Sequence, residues 1–349
     1  MDTCFYTLGS GNDEEALERA GNIIKKGGLV AFPTETVYGL GGDALSASSS
    51  AKIYAAKGRP SDNPLIVHIA ETGDLEMIAE DIPEKARTLA KNCWPGPLTM
   101  ILKKKPMVPD ATTGGLPTVA VRMPDHAGAL SFIRKAGGFV AAPSANISGR
   151  PSPTDARHVL EDMDGRIEMI LDGGPVGIGI ESTIVDLTGE VPCLLRPGYI
   201  GIKKLTGLIG GIEIDPVVLG VLKENERPKA PGMKYRHYAP KGDLVIVKGE
   251  ALSVADKINT LVKEHLEKGE SAGVIATSEN LELYTCGTVR CVGSRERDEE
   301  IAHNLFSLLR EFDDLGVEHI YSEELDTPHL GMAVMNRLNK AAGHKIIEV

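Results

Sequence analysis

At 349 residues the chain is about twice the usual length of a single domain, which favours two. With 42% hydrophobic and 25% charged residues it can build a substantial core, which excludes a disordered, collagen-like or low-complexity chain. The net charge is −11; residues 1–210 hold 21 Lys+Arg against 25 Asp+Glu and the remainder 17 against 24, so the halves carry −4 and −7 and neither has the basic excess of a bulk nucleic-acid binder. No run approaches the roughly 18 apolar residues of a membrane span. The N-terminal MDTCFYTLGSGNDEE lacks the basic flank and apolar stretch of a signal peptide. Five cysteines (4, 93, 193, 286 and 291) show no metal-type spacing, and their scatter fits a reducing cytosol.

In chain order, Asp13 to Lys26 places Leu17, Ala20, Ile23 and Ile24 at helical spacing, with Asn12 as N-cap and Gly27-Gly28 as the stop. GLVAF (28–32) reads as a buried strand broken by Pro33, and Thr34, Glu35 and Thr36 then lead into a glycine-rich turn. A second helix is predicted over 48–57, and a third has Pro83 near its first position. Strands follow at LTMILK (98–103), TVAVRM (118–123), FVAAP (139–143), EMILD (168–172) and STIVDL (182–187). Helices are expected at 126–136 and at 155–163, the latter capped by Thr154. The reading is a mixed α/β domain over 1–212.

From 213 to 240 the pattern changes. KENERPKAPGMKYRHYAPKGD is polar, carries three prolines and has no sustained periodicity, so 213–240 reads as an interdomain linker. The cluster Lys234, Tyr235, Arg236, His237 and Tyr238 is richer in side-chain chemistry than a passive spacer needs. Over 241–349, strands at 243–248, 272–277, 288–293, 319–324 and 345–349 alternate with helices at 251–268, 297–313 and 331–342. That pattern is a small open-sheet, Rossmann-like α/β domain, without the GxGxxG of a dinucleotide site.

No Walker A loop, GxSxG, HExxH, CxxC or EF-hand occurs, and the nine histidines do not pair at metal-ligand spacings on any predicted element. What remains is polar residues at strand ends. AKGRPSDNPLIVHI (56–69) sets Lys57 and Arg59 two apart, with Asn63 and His68 beyond; APSANISGRPSPT (142–154) carries Ser144, Asn146 and Ser148. Small residues beside polar ones let backbone N–H groups approach an anion, and Lys and Arg supply the charge and planar fork that phosphates bind. With no nucleophile–base pair in view, the chemistry suggested is orientation and charge stabilisation of a phosphoryl or nucleotidyl transfer. Each residue also has a plain structural reading. Lys57 and Arg59 could balance a helix dipole, Ser144 and Asn146 could be turn residues, Arg122 could make an internal salt bridge, and His68 could be a satisfied core histidine.

Together these segments resemble one family. KGRPSDNPL and SANISGRPS carry the Lys-x-Arg…Ser-x-Asn signature of the YrdC-like threonylcarbamoyl-adenylate synthases, and PTETVYGLG, VAVRMP, GIESTIVD and LLRPG follow in the family's order. APGMKYRHYAP with a small α/β domain after it resembles the long, two-domain form. The resemblance implies a twisted open α/β sheet with a concave active-site cavity. It also implies condensation of L-threonine, bicarbonate and ATP (with Mg²⁺) into threonylcarbamoyl-AMP and pyrophosphate. A separate transferase complex would then move the threonylcarbamoyl group to the tRNA adenosine 3′ of the anticodon.

By motif, Lys57, Arg59, Ser144 and Asn146 form the signature tetrad. Arg59, Asn63, Thr118, Asn146, Thr154 and Arg196 would contact ATP, with Tyr235 and His237 reaching over it from the linker. Thr36, His68, Arg122, Ser144 and Ser182 would hold L-threonine. No metal-ligand set is visible; Glu35 and Asp186 could contribute to one or could equally be caps or salt-bridge partners. The rival readings are a carbamoyl-adenylate-handling transferase, a non-catalytic RNA-binding factor and an ATP-binding regulator. The scattered cysteines, the lack of a signal-peptide pattern and the lack of an apolar span lead to the expectation of a cytoplasmic protein with no membrane association, and direct tRNA binding stays open.

Overall fold

Short apolar strands in the first half of the chain assemble into one mixed sheet. The computed structural model describes residues 2–218, 230 and 237–349. The chain divides into two units: Met1–Ser148, Ser152–Gly177 and Glu181–Tyr235 form the first, and Gly149–Pro151, Ile178–Ile180 and Arg236–Val349 the second.

The first unit runs β1 (Cys4–Thr7), α1 (Asp13–Lys25), β2 (Val30–Phe32), β3 (Gly39–Asp43), α2 (Ala47–Lys57), β4 (Ile66–His68), α3 (Leu75–Ile78), β5 (Ala79–Glu80), α4 (Glu84–Cys93) and β6 (Leu98–Lys104). It continues with β7 (Thr118–Arg122), α5 (Ala127–Lys135), β8 (Val140–Ala142), α6 (Ala156–Met163), β9 (Met169–Asp172), β10 (Thr183–Asp186), β11 (Cys193–Arg196), α7 (Ile202–Ile209) and β12 (Glu213–Ile214). The described strands pair in the order β1-β9-β2-β3-β8-β4-β7-β6-β10-β11-β12, with β5 on β6.

Side chains alternate across a strand, so each face of the sheet has its own cover. On one face Val67, Met100, Leu102, Val119, Val121 and Val185 are buried with residues of α2, α4, α6 and α7. On the other, α1 and α5 lay Leu17, Ala20, Ile24, Phe132 and Ile133 over β1, β2, β8 and β9. Further along that face Ile66, Ile101, Ala120, Ile184 and Leu195 form a separate apolar patch, closed by the fully buried Ala230. The same alternation puts His68 beside Ile66, Thr118 and Arg122 beside Ala120, Thr99 beside Ile101 and Ser182 beside Ile184. The fold thereby gathers candidate site residues from neighbouring strands onto the face that α1 and α5 leave uncovered.

Three local expectations change. The glycine-rich segment read as a turn is the strand β3, antiparallel to β2 and β8. Its glycines are steric requirements: a Cβ on Gly41 would stand 2.8 Å from Val140 Cγ1, and one on Gly39 3.0 Å from the Phe32 ring. Asn12 precedes α1 without a side-chain cap bond. Asp155, not Thr154, caps α6, accepting from the Arg157 N–H.

The second unit runs β13 (Asp243–Lys248), α8 (Ala251–Glu267), β14 (Ala272–Thr277), β15 (Thr288–Gly293), α9 (Asp298–Asp314), β16 (His319–Glu323), α10 (Gly331–Ala341) and β17 (Ile346–Glu348). Its sheet is wholly parallel in the order β15-β14-β16-β13-β17. The step from β13 to β14 runs opposite to those from β15 to β16 and from β16 to β17. Right-handed crossovers therefore put α8 on one face and α9 with α10 on the other, a Rossmann-like arrangement. Gly149–Pro151 belongs here through Arg310, which is 1% exposed and donates from Nη2 to the Pro151 carbonyl at 2.6 Å, and through the Ala239 N–H on the Gly149 carbonyl. All five cysteines are free, and no helix among the described residues is long and apolar enough to cross a membrane.

Candidate active site

Ser46 caps α2 by accepting from the Ser49 N–H, and Gly58 ends the helix in the left-handed region at φ 61°. Lys57 is thus the last helical residue, yet only 2% exposed, so its charge is not a solvated balance to the helix dipole. Its ammonium donates to the Ser144 carbonyl at 2.5 Å, to the Asn146 carbonyl, and at 3.4 Å to Asn146 Oδ1. The Ser144 hydroxyl donates to that same Oδ1 at 2.5 Å. Three tetrad members therefore form one network, in which Lys57 clamps the loop that leaves β8.

Arg59, the fourth, is also buried and donates from Nε to the Asn63 carbonyl at 3.3 Å and from Nη2 to the Pro64 carbonyl at 3.2 Å. Asn63 is 1% exposed, and neither its side-chain oxygen nor its side-chain nitrogen has a hydrogen-bond partner among the described residues. A buried amide left unsatisfied costs roughly 1–3 kcal/mol, so it marks a position that a polar ligand would complete.

A second group lies along β4 and β7, which run parallel with His68 opposite Arg122. His68 is buried, its Nδ1 is 3.2 Å from the Ile66 carbonyl, and Phe32 meets its ring edge-on at 5.8 Å. Burial first, and the neighbouring Arg122 charge second, push its pKa down to about 3, so the imidazole is neutral at physiological pH. Arg122 Nη2 lies 2.7 Å from Glu35 Oε2, with side-chain exposures of 5% and 12%. The contact is a charge contact without hydrogen-bond alignment: among the described residues neither carboxylate oxygen of Glu35 nor Nε and Nη2 of Arg122 has an aligned partner. A planar guanidinium held this way can take a better-aligned carboxylate. Thr118 is at the other end of β7, roughly 13 Å away at ~3.3 Å per residue.

Thr36 is buried, its hydroxyl 2.9 Å from that of Thr34, which donates to the Val37 carbonyl at 2.7 Å. Ser182 shares a hydrogen bond with Thr99 at 2.8 Å and accepts from Arg196 Nη2 at 3.0 Å, while Arg196 Nε donates to the Ser182 carbonyl. Two residues the sequence assigns to different substrates are thus in direct contact. Thr154 is buried, its N–H 3.3 Å from His158 Nδ1. Asp186 accepts from the Thr188 N–H and hydroxyl, a turn role. Glu35, as the partner of Arg122, has a salt-bridge role. Tyr235 lies outside the described residues. His237 stands in the second unit, 8% exposed, its ring 5.4 Å from that of Tyr238.

Sequence reasoning overlooked Thr99, which is fully buried and braces Ser182. A threonine two positions before Ile101 in an apolar strand was the available signal.

Residues 22–198 match the Sua5/YciO/YrdC family, described as telomere recombination, and residues 202–343 match the C-terminal domain of threonylcarbamoyl-AMP synthase. The chain is 50% identical over 337 residues to the threonylcarbamoyl-AMP synthase of Pyrococcus abyssi, covering 97% of each. It is 47% identical over 339 residues to that of Bacillus subtilis, covering 97% of this chain and 96% of the relative. The crystal structure of P. abyssi Sua5 complexed with L-threonine is similar with a TM-score of 0.93 and 48% identity, over 99% of this chain and 100% of that one. The chain belongs to the YrdC-like threonylcarbamoyl-AMP synthase family, in its long two-domain form.

Proposed function

We propose that the protein is an L-threonylcarbamoyladenylate synthase, a nucleotidyltransferase that condenses L-threonine, bicarbonate and ATP. The observation that carries this reading is the similarity, over nearly the whole chain, to a protein solved with L-threonine. The geometry supports it at two places. Arg122 offers a fork for the amino acid's carboxylate, with neutral His68, Thr36 and Ser182 as hydrogen-bonding groups for its hydroxyl and amine. Arg59, Asn63, Thr118, Asn146, Thr154 and Arg196 supply polar groups for the nucleotide, and the unsatisfied Asn63 amide favours a ligand there.

In this mechanism the threonine nitrogen attacks CO₂ derived from bicarbonate, with loss of water and one proton, and gives a carbamate. A carbamate oxygen then attacks the α-phosphorus, and the bond to the bridging oxygen breaks to release pyrophosphate. Mg²⁺ enters with the triphosphate as part of the substrate. Lys57 acts through the loop it clamps, holding Ser144 and Asn146 in place while adding positive charge to the site. Ser144, placed by that clamp, would serve the amino-acid side of the site. The product, a labile mixed anhydride, would serve the cytoplasmic tRNA-modifying transferase complex.

Pyrophosphate release measured with and without L-threonine tests the reading. The wild-type chain should require threonine, and Arg59→Ala should lose most of that activity. Full activity in Arg59→Ala would overturn the assignment.

A further inference from the structure

The second unit assembles a donor set that sequence spacing hides. On α8, Val254, Ile258 and Val262 form the stripe buried against the sheet, and His265 continues that stripe one turn further on. The chain turns through Gly269 at φ 79°, which brings Glu270 back beneath the helix end. His319 opens β16, where its register with Ala272 of β14 and Asp243 of β13 sets it at the same end of the sheet. Tyr321 is two residues on, on the same face.

The three side chains converge. His265 Nδ1 is 2.6 Å from Glu270 Oε2, and His319 Nε2 is 3.4 Å from the same oxygen. One ligand atom from each of the three lies within 4.8 Å of the other two. His265 Nε2 is 2.9 Å from the Tyr321 hydroxyl, so one ring nitrogen is held from behind while the other faces the carboxylate. The two imidazoles stack with centroids 3.7 Å apart and planes 14° from parallel. None of the three is fully exposed, with side-chain exposures of 18% for His265, 28% for His319 and 41% for Glu270.

We propose that His265, Glu270 and His319 bind one divalent transition-metal ion, Zn²⁺ first among them. Two imidazole nitrogens with one carboxylate oxygen suit Zn²⁺, Co²⁺, Ni²⁺ or Cu²⁺ and do not suit Mg²⁺ or Ca²⁺, which take oxygen donors. Metal–ligand bonds of about 2.0–2.2 Å in a tetrahedron put donor atoms roughly 3.3–3.5 Å apart. The His319–Glu270 separation already meets that. The shorter His265–Glu270 contact is bridged by a proton, which the metal replaces as the pair opens by less than ~1 Å. One stacked ring tilts so that both nitrogens aim at the ion, a motion about the soft terminal torsion of histidine. The Tyr321 hydroxyl supplies the outer hydrogen bond that fixes the tautomer of a ligating imidazole. The fourth position is left to water. The ion would staple the C-terminal end of α8 to the start of β16.

The full-length chain, stripped with chelator, is titrated with Zn²⁺ by calorimetry and with Co²⁺ by visible absorption, beside His265→Ala, His319→Ala and Glu270→Gln. The expected result is one Zn²⁺ per chain, a tetrahedral Co²⁺ spectrum and a Zn²⁺-dependent rise in melting temperature. Each variant should weaken binding at least tenfold and lose the thermal shift, while melting like the wild type in chelator. Glu270→Gln changes the most exposed member, so it reports on ligation even where a histidine variant folds poorly. Absence of saturable binding, or equal binding by all variants, which would trace the ion to cysteines such as Cys286 and Cys291, overturns the proposal.

Discussion

Replacing Lys57 with methionine keeps the side chain's length and removes its ammonium. In the folded protein that group is 2% exposed and donates to the carbonyls of Ser144 and Asn146 as well as to Asn146 Oδ1. Hydrogen bonds from a charged donor contribute roughly 1.5–3 kcal/mol each, so loss of the two main-chain bonds removes about 3–6 kcal/mol. Relief from burying a charge offsets part of this, leaving a net loss of about 2–4 kcal/mol. At ~2–4 °C per kcal/mol for a domain of this size, Lys57→Met should lower the first melting transition by about 4–16 °C. The loop should loosen with it. The Ser148 N–H, which donates to the Lys57 carbonyl at 2.9 Å, and the amides of 145–147 should lose hydrogen-exchange protection. A variant that is inactive but keeps wild-type melting and exchange would refute the clamp and return Lys57 to direct phosphate contact.

His68 gives a pH test. Its folded pKa, near 3, lies below the unfolded value of about 6.5, so its contribution is complete above about pH 6.5 and is lost as pH falls towards 3. At pH 5 the wild type should have lost about 2 kcal/mol that His68→Gln retains; parallel stability curves between pH 7 and 5 would contradict this. Glu35→Gln removes the carboxylate that competes for Arg122. The variant should be less stable alone, bind L-threonine several-fold more tightly and gain more from it in a thermal-shift assay; weaker binding at unchanged stability is the contrary result. Gly41→Ala places a Cβ 2.8 Å from Val140 Cγ1 and should cost about 1–3 kcal/mol, whereas Gly73→Ala, with nothing within 4 Å, should melt within a degree or two of wild type.

The second unit was the more legible in sequence. Its strands are apolar and separated by long amphipathic helices, so β13 to β17 and α8 to α10 fall within one or two residues of their predicted positions. In the first unit the strands with a strong apolar run, such as β6 and β10, were visible. Strands β3, β4 and β11 were not, because GLGGD lacks the β-branched residues that signal a strand and IVH and CLLR are short. What sequence could not supply was pairing across the fold. Arg122 and Glu35 are 87 positions apart, and Ser182 meets Arg196 only because β10 and β11 lie side by side. The same limit hid His265 and His319, whose 54-residue separation has no metal-site spacing.

The most direct measurement is mass spectrometry of the purified chain incubated with ATP, Mg²⁺ and ¹³C-bicarbonate, with and without L-threonine. A threonylcarbamoyl-AMP ion that carries the ¹³C label should form only when threonine and bicarbonate are both present. Folded, ATP-binding protein that yields no such ion, or an adenylate lacking the label, would contradict it.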